Sequence, residues 1–137
     1  MAETKITWKA GMLFEASDSC GHTVLMDSSR EHGGEDKGFL PSELLLSAIG
    51  GCAAMDVVSI LKKKQQDVRS VEVIVRGTKS AEPPTYFTDI ELEYVVHGDV
   101  AENALCRAIE LSHEKYCMVS ITVKKGAKFS VKYRIEP

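Results

Sequence analysis

Apolar and polar residues alternate along several short stretches of the chain, and this two-residue period predicts β-strands. The alternating stretches are residues 6–10, 12–16, 23–27, 71–75, 90–96 and 129–135. Residues 119–123 have the composition of a strand as well, because three of the five are β-branched and apolar. The polar, glycine-rich stretch 28–38 is predicted to be a loop, and the two prolines within 81–84 are predicted to interrupt the sheet.

Two segments have helical patterns instead. Residues 41–61 are apolar on nearly every face, which predicts a long helix buried on most sides, with Pro41 in its first turn. A shorter amphipathic helix is predicted to open with a capping box formed by Asp99 and Glu102 and to close at Cys117. Strands placed around two helices predict an α+β fold with antiparallel sheets, in a single domain over residues 1–137.

Composition and charge exclude some functions. The 137 residues are 44% hydrophobic and 27% charged, which is an ordinary balance for a soluble globular protein. The net charge is −3 and the only basic run is Lys62 to Lys64 at the end of the long helix, so we expect no nucleic-acid partner. The long apolar segment contains Ser47, Asp56 and Ser59, so we expect it to be the centre of a soluble fold and not a membrane span.

The candidate chemistry is that of thiols. Cys52 lies in the middle of the long apolar helix, and Cys117 ends the amphipathic one. Two thiols that meet in space can exchange oxidation states with a peroxide or a disulfide, whereas isolated buried cysteines are inert small hydrophobic residues. Cys20 and Cys106 are predicted to be of that inert, buried kind. Without a secretory signal, four cysteines indicate the reducing cytoplasm.

The residues around Cys52 refine this hypothesis. The pair Gly50 and Gly51 costs about 2 kcal/mol relative to alanines in a helix, so we expect a close approach of another element there. Glu43 and Arg30 are the charged companions that could act on the thiol, although the first turn of the helix and a solvent-exposed loop are their ordinary settings. Asp56, four residues after Cys52, would raise the pKa of the thiol and is therefore predicted to be structural.

Two segments resemble the OsmC/Ohr family of hydroperoxide-reducing thiol proteins, and in particular its YhfA-like branch. The first runs from Pro41 to Cys52 and continues from Asp56 to Leu61, and the second runs from Glu110 to Ser120. The order of strands and helices is similar too, so the resemblance covers nearly the whole chain. It implies an OsmC-like α+β fold that forms an intertwined homodimer, with the long helices at its centre and the active site at the interface.

The resemblance also implies roles for individual residues. Cys52 is identified as the peroxide-attacking thiol and Cys117 as the thiol that resolves its sulfenic acid to a disulfide. Family members activate the thiol with an arginine and a glutamate, for which this chain offers Arg30 and Glu43. The glutamate of the peroxidase branch stands one residue further from the cysteine, at the position of Ser42. The implied substrate is an organic hydroperoxide, the reductant is a dithiol of the lipoyl type, and neither a metal nor an organic cofactor is required.

Two other classes of function remain open at this point. The first is a binding protein that keeps the fold and an apolar cleft at its interface without turnover. The second is a zinc protein that uses two cysteine–histidine pairs, Cys20 with His22 and His113 with Cys117, although their spacing is not a strong zinc pattern.

Overall fold

The computed structural model describes residues 1–136, which divide into two compact units, Met1–Ser47 and the chain from Ala48 onward. In the first unit, β1 (Lys5–Ala10), β2 (Leu13–Ser17) and β3 (Thr23–Met26) form an antiparallel sheet in the order β1-β2-β3. The predicted strands are therefore present with ends shifted by about one residue. The assignment of residues 1–137 to a single domain stays a prediction.

The predicted loop 28–38 is organised around one buried carboxylate. Asp27, 4% exposed, accepts hydrogen bonds from the backbone N–H groups of Ser28, Glu35 and Lys37. Burial works to raise the pKa of this carboxyl, but the three N–H donors outweigh burial and hold it below its usual value. The loop contains a short 3-10 turn, Arg30–His32, and leads directly to the long helix.

The long helix α1 spans Pro41–Lys63, with Pro41 at its first position as predicted. It buries residues four positions apart, namely Ile49, Ala53, Val57 and Leu61. Its other faces are open within one chain: Leu45 is 41% exposed and Met55 is 75% exposed. The helix is thus buried along one stripe only, where the sequence predicted burial on most sides.

By length and composition, α1 is also apolar enough to cross a membrane. One such helix is weak evidence, because the core helix of a soluble protein satisfies the same criterion.

The second unit is built on a long hairpin of β4 (Asp67–Lys79) and β5 (Phe87–Asp99), which pair antiparallel. Both strands extend well beyond the stretches that alternation marked, and they are interrupted by residues 81–84 as expected. The core of this unit joins α1 to the following helix through Val57, Leu61, Ala104 and Ala108. Tyr94 and Val68 of the hairpin pack against that cluster. This arrangement confirms the α+β fold class with antiparallel sheets.

The predicted start of the second helix is wrong in detail. Helix α2 spans Glu102–Leu111 and has Ala101 at its N-cap without a side-chain hydrogen bond, while Asp99 is the last residue of β5. A capping box needs its first member in the N-cap position, and Asp99 lies two residues too early. The side chain of Gln66 instead accepts the backbone N–H of Ala101, at 2.8 Å.

The second helix also does not continue to Cys117. A π-helical turn, Ser112–Tyr116, follows α2, and Cys117 has an extended backbone. A third helix, α3 (Met118–Lys125), occupies the segment predicted as a strand over 119–123, so that prediction is wrong. The cap explains the difference, because the sulfur of Cys117 accepts the N–H of Ser120 and opens a helix that strand propensity alone would not predict.

The last predicted strand, 129–135, is also absent. Residues 126–136 have no regular structure, and Phe129, Val131, Tyr133 and Ile135 are each 87–90% exposed. The alternating pattern is real, but a strand forms only when another strand pairs with it.

Candidate active site

The structure brings Cys52, Asp56 and Cys117 together in the second unit. The two sulfur atoms and a carboxylate oxygen of Asp56 all lie within 4.8 Å of one another. Cys52 and Asp56 lie one turn apart on α1, and Cys117 comes from the junction between the π-helical turn and α3. Two thiols 65 residues apart in the sequence are therefore neighbours, at a separation that a local shift could close to a disulfide.

The π-helical turn positions Cys117. The backbone N–H of Cys117 donates to the carbonyl of Ser112 at 2.7 Å, which closes the wide turn and ends the helical direction of α2. Its sulfur then caps α3 by accepting the N–H of Ser120 at 3.5 Å. Cys117 is completely buried, whereas Cys52 is half-buried. Of the two thiols, Cys52 is therefore the one that a substrate reaches more readily.

Burial is the largest influence on the Cys52 thiol and raises its pKa. The neighbouring Cys117 and the charge of Asp56 raise it further, while the backbone N–H of Val119 lowers it. Within one chain the thiol is therefore protonated at neutral pH, and its activation needs a further positive or hydrogen-bonding group. Asp56 itself accepts a hydrogen bond from the hydroxyl of Ser112 at 2.9 Å.

A second polar group adjoins this cluster. The hydroxyl of Tyr94, from β5, shares a hydrogen bond with Nε2 of His113 in the π-helical turn. The ammonium of Lys124 donates to the carbonyl oxygen of His113 at 2.8 Å. Burial raises the pKa of Tyr94 to about 12, with contributions from Cys117 and Asp56. Burial lowers the pKa of His113 and Lys124 lowers it further, against an opposing effect of Asp56.

An apolar cavity of about 220 Å³ lies on the same side of the second unit. Its apolar lining is Ile49, Ile90, Leu92 and Val123, and its polar lining is His113, Ser120 and Lys124. Ile49 precedes Cys52 by three residues on α1, and Ser120 donates to the sulfur of Cys117. The cavity thus adjoins the thiol site through Ser120, although neither cysteine is among its lining residues.

The predicted close approach occurs at only one of the two glycines. A Cβ on Gly50 would stand 2.7 Å from Cγ2 of Val75 in β4, whereas a Cβ on Gly51 would meet no atom within 4 Å. The element that approaches Gly50 is therefore the hairpin. Gly50 lets α1 lie against β4 at a point two residues before Cys52.

Other predicted residues lie elsewhere. Cys20 and Cys106 are both exposed, so the prediction that they are buried is wrong. Arg30 belongs to the first unit, where its guanidinium pairs with Asp36 at 3.3 Å. Glu43 is in the first turn of α1, nine residues before Cys52. Their activating roles stay predictions.

The donor atoms of Cys52, Asp56 and Cys117 are of types that zinc accepts, but a structural zinc site takes four ligands and this cluster offers three. Cys20 and His22 of the other cysteine–histidine hypothesis are in the first unit, where His22 pairs with Asp18 at 2.8 Å. What the cluster does offer is two thiols and a carboxylate, which together can exchange electrons and a proton.

Taken together, the fold and the site define an α+β protein with a paired-thiol centre. The chain belongs to the OsmC-like protein family, whose pattern matches residues 34–132. It is 38% identical to the protein YhfA of Escherichia coli K12 over 134 residues, which is 97% of both chains.

Solved structures agree with the family. A hypothetical protein from Aquifex aeolicus is 36% identical and superposes with a TM-score of 0.80, over 92% of this chain and 89% of the other. An organic hydroperoxide resistance protein from Elizabethkingia anophelis superposes with a TM-score of 0.67 over 89% and 87% of the two chains. At 14% identity the second likeness shows the shared fold alone.

Proposed function

We propose that the protein is a cysteine-based peroxidase that reduces organic hydroperoxides to alcohols. The observation that carries the proposal is the meeting of Cys52 and Cys117, whose sulfur atoms lie within 4.8 Å beside an apolar cavity. Membership of a family with relatives named for organic hydroperoxide resistance supports the substrate class.

The proposed cycle has three steps. The Cys52 thiolate attacks the distal oxygen of the hydroperoxide, which breaks the O–O bond, releases the alcohol after protonation and leaves a sulfenic acid on Cys52. Cys117 then attacks the sulfur of Cys52, which forms the disulfide and releases water. An external dithiol, of the lipoyl type, reduces the bridge by exchange and leaves as its own disulfide.

The difference in burial supports these roles for the two thiols. Cys52 is half-buried and can meet a substrate, whereas Cys117 is fully buried and can meet only its neighbour. The raised pKa of Cys52 must be lowered before the first step, because only the thiolate attacks. We assign that task to Arg30 and Glu43, brought to the site in a homodimer whose interface contains the active centre.

A single-turnover assay with one equivalent of cumene hydroperoxide tests the proposal. Cys52→Ser should consume no peroxide, whereas Cys117→Ser should consume one equivalent and stop at a sulfenic acid that a dimedone-type probe traps. Cys20→Ser and Cys106→Ser are the matched controls and should behave as the parent, with a Cys52–Cys117 bridge found by peptide mapping. Full consumption by Cys52→Ser, or a dominant bridge through Cys20 or Cys106, would refute the assigned roles.

The proposed cycle places the protein in the cytoplasm, because a dithiol reductant operates in a reducing compartment. Cell fractionation should recover it there with its thiols reduced, and recovery from an oxidising compartment would contradict this placement.

A non-enzymatic binding protein is the alternative, since the same cavity could hold an apolar ligand without turnover. The single-turnover assay separates the two, because a binding protein would leave the hydroperoxide intact. Metal analysis of the purified protein tests the zinc alternative in the same preparation.

A further inference from the structure

Asp56 is an unexpected neighbour for a thiol that has to ionise. Its negative charge raises the pKa of Cys52, which works against the first step of the proposed cycle. Among residues 1–136, no ion pair includes Asp56, and its one hydrogen-bond donor is the neutral hydroxyl of Ser112. A carboxylate is a proton acceptor by its chemistry, and an oxygen of Asp56 lies within 4.8 Å of both sulfur atoms.

The groups around Asp56 come from every element that packs there. Cys52 lies on the same helix, Cys117 lies at the junction before α3, and Tyr94 belongs to β5. The π-helical turn contributes His113, which Lys124 also influences. The raised pKa of Tyr94 and the lowered pKa of His113 keep both groups uncharged at neutral pH, and Asp56 is the carboxylate that lies beside the two sulfur atoms.

We propose that Asp56 is the general base, and then the general acid, of the step that joins Cys117 to the oxidised Cys52. The Cys117 thiol gives its proton to the Asp56 carboxylate while its sulfur forms the bond to the sulfur of Cys52. The S–O bond of the sulfenic acid breaks, and the leaving hydroxide takes the proton from Asp56 and departs as water. This step begins from the sulfenic acid of the proposed peroxidase cycle and therefore rests on the proposed function.

Burial explains why the step needs an internal base. Cys117 is completely covered, so bulk water cannot remove its proton, and a thiol attacks only after losing it. The hydrogen bond from Ser112 holds the Asp56 carboxylate, an oxygen of which lies within 4.8 Å of the two sulfur atoms. Sequence spacing predicted a structural role for Asp56, but only the fold shows that the second thiol arrives beside it.

The test uses a chromogenic disulfide, so it does not depend on peroxide chemistry. In a Cys20→Ser/Cys106→Ser background, which removes both exposed thiols, the protein is mixed with 5,5′-dithiobis(2-nitrobenzoate). The first thionitrobenzoate reports attack by Cys52. The second reports attack by Cys117 on the mixed disulfide, the same proton loss as in the proposed step.

Asp56→Asn retains the shape and the oxygen that accepts from Ser112 but removes the base. The second release should slow by about 10²-fold at pH 7, the size expected for loss of a general base, and should recover as the pH rises. The first release should stay equal or become faster, because the charge that raises the pKa of Cys52 is gone. Asp56→Glu retains a carboxylate and should restore much of the rate of the second release. Ser112→Ala should slow only the second release, by about tenfold, because it removes part of the general-base catalysis.

A second release in Asp56→Asn within twofold of the parent across pH 6–9 would overturn the proposal, as would equal slowing of both releases. If thermal denaturation shows that Asp56→Asn is not folded, the Ser112→Ala variant provides the test. An unchanged second release in Ser112→Ala would then overturn the proposal. If Asp56→Asn slows only the second release but the parent leaves cumene hydroperoxide intact, the peroxidase function is refuted and the role of Asp56 is supported. If the parent consumes the hydroperoxide but Asp56→Asn does not slow the second release selectively, the peroxidase function is supported and the role of Asp56 is refuted.

Discussion

At the scale of single residues, Gly50 shows how one missing side chain positions the site. The helix α1 lies so close to β4 that a Cβ at this position would stand 2.7 Å from a methyl group of Val75. Real Cβ contacts are never so short, so a side chain here would push the helix or the strand away. Cys52 is two residues further along the same helix and would move with it.

We therefore expect Gly50→Ala to lower the free energy of unfolding by about 1–2 kcal/mol, the overpacking penalty less the gain in helix propensity. Gly51→Ala is the matched control, because it makes the same chemical change where no atom lies within 4 Å, and it should not destabilise the protein. Urea unfolding of both variants measures the difference. Equal destabilisation would mean that the glycine pair serves the helix itself and not its contact with β4.

At the scale of elements, the contact between β5 and the π-helical turn depends on a neutral histidine. His113 shares its Nε2 with the hydroxyl of Tyr94, and burial and Lys124 lower its pKa from the ordinary 6.5. At a pH between the lowered pKa of the folded state and 6.5, His113 is therefore protonated in the unfolded chain but not in the folded protein. Stability from this group is present above pH 6.5 and is lost as the pH falls through the lowered pKa of the folded state.

His113→Gln keeps a hydrogen-bonding side chain but cannot titrate. We expect the parent to lose more stability than this variant between pH 7 and pH 5, with the difference growing below pH 6.5. Urea unfolding at a series of pH values provides the measurement, and subtracting one protein from the other removes the common effect of the carboxylates. Parallel pH profiles would show that His113 does not titrate differently in the two states.

At the scale of the whole molecule, apolar surface is left uncovered. Leu45 and Met55 of α1 are exposed, and so are the four alternating side chains of the C-terminal segment, Phe129, Val131, Tyr133 and Ile135. Four large apolar side chains exposed on one short segment indicate a surface that a partner covers, and each Å² covered would contribute about 25 cal/mol. We expect a homodimer that covers α1 and gives the segment a strand to pair with.

Light scattering at micromolar concentration should therefore give twice the chain mass of 15.1 kDa. Val131→Asp places a charge on the apolar side of the alternation and should shift the protein to monomer. Ser130→Asp introduces the same single negative charge on the polar side and should leave the dimer intact. A stable, folded monomer in the parent protein, or equal effects of the two variants, would contradict the dimer.

The proposed preference for organic hydroperoxides belongs to the same scale. The cavity lining is largely aliphatic, so an organic tail gains energy from burial that hydrogen peroxide cannot. A gain of about 1.4 kcal/mol is tenfold in rate. Burial of a phenyl ring and two methyl groups offers more than that, so we expect cumene hydroperoxide to react at least about tenfold faster than hydrogen peroxide. Stopped-flow measurement of both second-order rate constants provides the comparison, and equal constants would remove the case for an organic substrate.

The sequence by itself determined the class of fold, because its signals there are local and repetitive. Alternation marked the first three strands and the hairpin, and a long apolar run marked α1. It also singled out Cys52 and Cys117 among four cysteines, through their settings in two helical motifs. These properties depend on neighbours a few residues away, which periodicity reports directly.

Tertiary structure decided what depends on distant residues. The helix at Met118–Lys125 forms because the Cys117 sulfur caps it, although its β-branched residues favour a strand. Residues 129–135 have strand alternation but no pairing partner among the described residues of the chain, so they form none. Asp56 and Ser112 are 56 residues apart and meet only when α1 packs beside the π-helical turn. Contacts between distant residues leave no periodic trace in a single sequence, and for that reason the proton acceptor of the site became visible only in the fold.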